Sequence, residues 1–331
     1  MLGMPTTGRI LLRSPNWLGD AIMSLPAYGA WARTWQEKSA PEVAVCAPES
    51  LEPLWRLVPG VSAFFPADDN PVVTANTITD WNADVALILP NSPRTALESW
   101  LAGIPERVGF TGKWRRHLLT RSFQRPRQTG PLHHQSLDTL NLLRDLQWIG
   151  PESTCAEVTL PTPAPLNGKS GYFLVCPGAE FGPAKCWIPE RYAYVIEDLV
   201  GKTGWPVILA GGEGDIEMAQ RVETLLPFPV ENLAGKTSLS DFLSLIGHAE
   251  FILCNDSGSM HAGWVFGRRG VALFGSTEPQ MTGPLGRGFA VVREDVPCSP
   301  CFLRECPIDF RCMNRLGVDR VLNTCHTLLN L

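Results

Sequence analysis

The run Tyr172-Phe173-Leu174-Val175-Cys176-Pro177-Gly178-Ala179-Glu180-Phe181-Gly182-Pro183-Ala184-Lys185-Cys186-Trp187 decides the fold. Its first five residues are apolar and of strand length. A small-residue loop with one Lys follows, and helical spacing takes over from Pro189 to Lys202. The same rhythm continues on the C-terminal side. Strands are predicted at Pro206–Ala210, Phe251–Cys254 and Val271–Phe274, and helices at Asp215–Leu226, Leu239–Gly247 and Ser257–Phe266. Val318 to Leu329 reads as a closing helix. On the N-terminal side the predicted strands are Arg9–Arg13, Glu42–Ala47, Val61–Phe65, Asp84–Leu89 and Arg107–Gly109. The helices between them are Asp20–Trp35, Ser50–Leu57, Pro93–Ala102 and Gln135–Ile149. Strands alternating with helices predict an α/β protein with parallel sheets. The Pro-rich segment from Pro151 to Gly171 suits a linker between two domains, 1–160 and 161–331, with a cleft between them.

Composition agrees. The 331 residues are 44% hydrophobic and 18% charged, enough apolar material for two cores. A net charge of −5 argues against a general nucleic-acid coat protein. The apolar runs are too short to span a membrane, and the N-terminus lacks a signal-peptide core, so the expected location is cytoplasmic.

Four loops follow predicted strands, where open α/β sheets place ligands. In Ser14-Pro15-Asn16-Trp17-Leu18-Gly19-Asp20, Asp20 is either a helix N-cap or a carboxylate able to take a proton from a substrate hydroxyl. In the loop from Pro177 to Trp187, backbone N–H groups and Lys185 can share the charge of a phosphate, although the Walker ending is missing. In Gly211-Gly212-Glu213-Gly214-Asp215, Glu213 is either a helix-start acid or a ribose ligand. Asn255-Asp256-Ser257-Gly258-Ser259-Met260-His261 opens a helix suited to a diphosphate, with Ser257 and His261 on one face. The alternative there is a structural cap with a satisfied His. No Gly-x-Ser-x-Gly elbow supports a hydrolase.

From Arg107 to Leu137 there is no acidic residue. The stretch holds Arg107, Lys113, Arg115, Arg116, Arg121, Arg125 and Arg127, with His117, His133 and His134. It reads as a solvated loop, or as a site for an anionic acceptor or an acidic membrane surface. Cys298, Cys301, Cys306 and Cys312 form a cluster that suits zinc, an iron–sulfur centre, or a reduced structural loop.

Taken together, these segments resemble glycosyltransferase family 9, the lipopolysaccharide heptosyltransferases. The resemblance is carried by Arg13 to Asp20, Leu89-Pro90-Asn91-Ser92, Ala102-Gly103-Ile104-Pro105, Cys176 to Lys185, Asn232-Leu233-Ala234-Gly235-Lys236-Thr237 and Asn255 to His261, in the family's order. It implies a GT-B architecture, two Rossmann-like domains whose parallel sheets face each other across a cleft. The N-terminal domain would bind the acceptor and the C-terminal domain the ADP-sugar. The implied reaction is an inverting transfer of heptose from ADP-L-glycero-D-manno-heptose to the first heptose of the lipopolysaccharide inner core. Asp20 would be the general base, and Lys185 would stabilise the leaving diphosphate.

The resemblance also implies donor contacts at Gly178, Ala179, Glu180, Gly212, Glu213, Leu233, Gly235, Asp256, Ser257, Gly258 and His261. Acceptor contacts fall at Asn16, Trp17, Gly19, Asn91, Ser92, Arg94, Arg107, Lys113, Arg115 and Arg116. No cofactor is required on this reading, although magnesium can accompany a sugar nucleotide, and no Asp-x-Asp is present. The implied partner is a lipid A–Kdo–heptose acceptor, met by a monomer in peripheral contact with the cytoplasmic face of the inner membrane. Two departures stand out: Cys186 occupies a place where a basic residue is expected, and Glu278 lies among small hydroxyl positions. The alternatives are a family 9 enzyme with another sugar nucleotide or acceptor, and a non-catalytic metal- or nucleotide-binding protein built around the Cys cluster.

Overall fold

The computed structural model describes residues 8–35, 40–112, 114–125 and 132–331. The chain divides into two compact units, Met1–Val158 and Thr159–Leu331. The first holds a six-stranded sheet: β1 (Arg9–Arg13), β2 (Glu42–Ala47), β3 (Val61–Pro66), β4 (Val85–Ile88), β5 (Glu106–Phe110) and β6 (Arg121–Phe123). Its order is β3-β2-β1-β4-β5-β6, and all neighbours are parallel. The second holds β7 (Tyr172–Cys176), β8 (Val207–Leu209), β9 (Glu231–Asn232), β10 (Ala249–Asn255), β11 (Gly270–Phe274) and β12 (Phe289–Arg293). Its order is β12-β11-β10-β7-β8-β9, again all parallel.

The two sheets share one topology. In each, the first strand is central, the next two lie on one side and the last three on the other. This is the Rossmann order, and it reverses between first and fourth strands, β1/β4 and β7/β10. Loops leaving those strands splay apart there, which opens a crevice at their C-terminal ends.

Burial on both faces explains why the central strands read as continuous apolar runs. All five residues of β7 and all five of β11 are buried. In the second unit Phe173, Val175, Leu253 and Leu273 pack with Val195, Ile196 and Leu199 of the helix Pro189–Thr203. Val321, Leu322 and Cys325 of the closing helix Val318–Leu329 join the same core. In the first unit Leu11, Ala44, Ala86 and Ile88 pack against Ala96 and Ile104.

Three strands escaped the apolar-run reading: β6, β9 and β12. Each lies at a sheet edge; β6 and β9 are short and carry no continuous apolar run, whereas β12 holds the run Phe289-Ala290-Val291-Val292 that the reading passed over. β6 falls inside the acid-free stretch, where Arg121 pairs with Glu106 of β5 at 3.0 Å. The first helix begins at Leu18 rather than Asp20. The helix expected to reach Ile149 ends at Asp145, and Gln147 then adopts a left-handed φ of 61°. No helix among the described residues is long and apolar enough to cross a membrane.

Candidate active site

At the β1/β4 switch point, Arg13 ends β1 with its guanidinium buried. Its Nε donates to Glu98 Oε2 at 2.7 Å, and both side chains are 1% exposed. Arg13 also donates to the Ser14 carbonyl at 2.9 Å and to Asn16 Oδ1 at 3.1 Å. These bonds fix the loop that enters the helix Leu18–Ala32. The N-cap is Trp17, so Asp20 lies in the first turn, exposed, and is not the cap. A first-turn carboxylate is favoured by the helix dipole. Asp20 lines a pocket with Pro15, Asn91, Phe110, Arg125 and Asp138. Asn91 comes from the loop after β4. Arg125 is held by Asp138 at 3.1 Å and lies over the Phe110 ring at 5.3 Å.

At the β7/β10 switch point, Lys185 and Asp256 meet. The ammonium lies 2.6 Å from Asp256 Oδ2, and the two side chains are 12% and 3% exposed. Asp256 also accepts the Thr277 hydroxyl proton, and Lys185 sits 4.7 Å from the Phe181 ring centroid. Beside them starts the helix Gly258–Val265. Its N-cap Ser257 makes no side-chain cap, its hydroxyl lying instead 2.6 Å from that of Ser259. The first-turn amides therefore have no capping side chain and suit an anion. His261 lies on this helix, 4% exposed, with its Nδ1 3.4 Å from Trp264 Nε1.

The Lys185 loop offers fewer amides than its sequence suggests. The N–H groups of Gly182, Lys185 and Cys186 bond to the carbonyls of Ala179, Gly182 and Pro183, and that of Ala184 to Arg304. The loop's positive charge thus comes from Lys185. Arg304 braces it, donating to the Phe181 carbonyl at 2.6 Å with its guanidinium 5.4 Å from the Phe181 ring.

After β8, Glu213 projects exposed, while Gly212 N–H bonds to Asp215 Oδ2 at 3.0 Å. Leu233 and Gly235 lie alongside: Leu233 N–H bonds to Leu209 and Gly235 N–H to Gly211. Gly235 has φ +70°, and its absent side chain leaves room for Ile216. Burial raises the Asp215 carboxyl above its ordinary value, and the nearby Glu180 adds to the effect. Glu180 itself is exposed. Glu278 is spent structurally, capping the turn at Gln280 and pairing with Arg293 at 3.0 Å.

Several expected acceptor contacts have structural work instead. Arg115 is fully buried. Its Nη1 donates to the Pro90 carbonyl and to Asn91 Oδ1, and its Nε and Nη2 find no partner among the described residues. Burial, with the nearby Arg125, lowers it to about 10. It anchors the loop that carries Asn91 rather than facing solvent. Arg107 donates to the carbonyls of Leu118 and Ile104, which ties down the turn before β6. Ser92 caps the helix Pro93–Leu101 through Thr95 N–H, and Arg94 pairs with Asp69. Trp17 and Arg116 are exposed, and Gly19 lies within the helix. Lys113 and Arg127 lie outside the described residues.

The Cys cluster does not form a ligand set. Among the described residues no group of three or more His, Cys, Asp or Glu is arranged to hold a metal ion. Cys312 is buried against Gly275, Cys301 is exposed, and the Cys306 sulfur accepts the Phe310 N–H at 3.2 Å. The segment works through its backbone and Arg304: Cys301 and Phe302 N–H groups bond to Ser276, and Ala184 N–H to Arg304. Sequence reasoning missed Glu98, Thr277 and Arg304, because each acts through a partner distant in sequence, and it read Asp215 only as part of the loop after β8. Arg125 and Asp138 were signalled only by the acid-free stretch and its end.

Comparison with known proteins now adds to the geometry. The sequence model of Glycosyltransferase family 9 (heptosyltransferase) matches residues 74–310. The chain is 31% identical to lipopolysaccharide heptosyltransferase 2 of Escherichia coli strain K12, with 86% of this chain and 88% of that protein covered. Against lipopolysaccharide heptosyltransferase 2 of Salmonella typhimurium the identity is 30%, with the same coverage. A solved structure of E. coli ADP-heptose LPS heptosyltransferase II superposes with a TM-score of 0.82 at 27% identity, covering 97% of this chain and 98% of that one. Paired Rossmann-like sheets with these relatives define a glycosyltransferase enzyme. The chain belongs to glycosyltransferase family 9, the heptosyltransferases.

Proposed function

We propose that this enzyme transfers heptose from ADP-L-glycero-D-manno-heptose to the first heptose of a lipopolysaccharide inner core, with inversion at the anomeric carbon. The names borne by its relatives support that donor and acceptor. The observation that carries the reading is the buried Lys185–Asp256 pair beside an uncapped helix start, at the crevice where Rossmann sheets bind nucleotides. The first unit takes the acceptor, a lipid A–Kdo–heptose, in the pocket of Asp20, Asn91 and Arg125. Such an acceptor implies peripheral contact with the cytoplasmic face of the inner membrane.

In the reaction, the Asp20 carboxylate takes the proton of the acceptor hydroxyl. The freed oxygen attacks the anomeric carbon opposite the diphosphate, and the bond to ADP breaks with its electron pair leaving on the diphosphate. Lys185 and the first-turn amides after Ser257 meet the charge that develops there. Glu213 binds the ribose diol, and Leu233 to Gly235 line the adenine. The sugar nucleotide brings its own leaving group, so the protein needs one base and one positive clamp.

The test is ADP release with ADP-heptose and a heptose-terminated core acceptor, wild type beside Asp20→Asn. Acceptor-dependent release in the wild type that collapses in the variant supports both reaction and base. Release with a different sugar nucleotide only would move the enzyme to another donor within the family.

A further inference from the structure

Three loops of the second unit meet at one glycine. Beside Gly178 stands Asn255, completely buried at the end of β10. Its Nδ2 donates to the Pro177 carbonyl at 2.7 Å and to the Gly178 carbonyl at 3.1 Å. Its Oδ1 accepts the Trp187 N–H at 3.3 Å and the Tyr192 hydroxyl at 2.8 Å. Two donors and two acceptor positions are all that a carboxamide has. One side chain therefore closes the loop from its first residues to its last.

Asp215 stands against the same glycine. It accepts the Gly212 N–H at 3.0 Å and packs on Gly178, so it joins the loop after β8 to the loop after β7. Its carboxylate fills the space that side chains at two glycines would need. A Cβ on Gly178 would lie 1.8 Å from Asp215 Oδ1, and one on Gly211 would lie 2.5 Å from Oδ2. Both glycines are imposed by this carboxylate, since neither has a positive φ. Neither Asp215 nor Asn255 is expected to touch substrate.

We propose that Asp215 and Asn255 are positioning residues that together hold the Gly178 peptide and so set the enzyme's affinity for its nucleotide-sugar donor. Lys185 lies two residues before the end of the loop that Asn255 closes, and its ammonium reaches Asp256 from there. Glu213 lies two residues before Asp215 in the other gripped loop. Loosening either grip lets the Lys185 ammonium that meets the diphosphate and the Glu213 carboxylate that binds the ribose drift apart, and a shift of about 1 Å can cost about 100-fold. The inference rests on the donor reading proposed above.

The experiment measures ADP affinity by calorimetry, and KM for ADP-heptose, KM for acceptor and kcat, in wild type, Asp215→Asn, Asn255→Asp and Gly178→Ala. Each variant is expected to weaken ADP binding and raise donor KM by about 10-fold or more, while acceptor KM stays within about twofold. Gly178→Ala reproduces Asp215→Asn, because the added methyl displaces the same carboxylate. The Asp215→Asn/Asn255→Asp double variant loses less than the product of the two single losses, since both act on one peptide. Folded variants with wild-type ADP affinity overturn the grip, as does a loss shared equally by donor and acceptor KM. Wild-type protein that binds no ADP overturns the donor reading and the grip with it. Should Asn255→Asp fail to fold, Asp215→Asn and Gly178→Ala decide the question alone.

Discussion

The Lys185 ammonium and the Asp256 carboxylate form a nearly buried pair, 2.6 Å apart, from loops on neighbouring strands β7 and β10. Asp256 holds the lysine in the crevice and is compensated in turn by the Thr277 hydroxyl. Removing Lys185 strips the positive charge that meets the leaving diphosphate. Lys185→Ala is expected to lower kcat about 100- to 1,000-fold in the ADP-release assay. A variant within threefold of wild type would place the clamp elsewhere.

Asp256→Ala is expected to damage stability more than an exposed substitution, because it leaves an ammonium unpaired and 12% exposed. The loss should reach about 3 kcal/mol in urea unfolding. Replacing both partners, as Lys185→Met with Asp256→Leu, should recover much of that loss while leaving the enzyme inactive. A double variant as unstable as Asp256→Ala would count against the ion-pair explanation.

Asp20 is exposed in the first turn of its helix and needs no cap role to explain it. Asp20→Asn is therefore expected to leave stability within about 0.5 kcal/mol. General-base removal should cut turnover about 100- to 10,000-fold, with ADP affinity unchanged. A parallel loss of melting temperature would recast Asp20 as structural.

The buried Arg13–Glu98 pair shapes the loop before Asp20. Glu98→Ala is expected to cost about 3–5 kcal/mol in chemical denaturation. Turnover should fall as well, since the Arg13 guanidinium that donates to Asn16 Oδ1 loses the carboxylate that holds it. Normal stability in Glu98→Ala would mean that the guanidinium finds another acceptor nearby.

Alkaline pH should unfold the enzyme through its buried thiols. Burial pushes Cys46, Cys254 and Cys325 up to about 12 from an ordinary value of 9.0. In the unfolded chain these thiols ionise first, so the unfolded state binds fewer protons as pH rises above 9.0. Stability is present below that value and falls towards pH 12, by about 1.4 kcal/mol per pH unit for each thiol. Urea midpoints measured upward from pH 9.0 should drop less steeply in a Cys46→Ala/Cys325→Ala variant. An unchanged slope would assign the loss to other groups.

The strand-and-helix rhythm, both Rossmann-like sheets and the loops at their C-terminal ends were legible in the sequence. So were Asp20, Lys185, Glu213 and Asp256 as residues of those loops. Apolar runs and helical spacing are local signals, and a strand buried on both faces cannot avoid showing one. The edge strands β6 and β9 lacked that burial and left no such mark.

What only the tertiary structure decided is which residues meet. The strand order sets β7 beside β10, and that alone brings Lys185 to Asp256 and Asn255 to Gly178. Charge content does not tell an exposed cation from a buried one, so Arg115 read as a ligand contact and proved to be an anchor for Pro90 and Asn91. The four clustered cysteines differ in burial, Cys312 being buried and Cys301 exposed, which their spacing could not show. Spacing along a chain fixes periodicity, whereas burial and pairing depend on every element packed around a side chain.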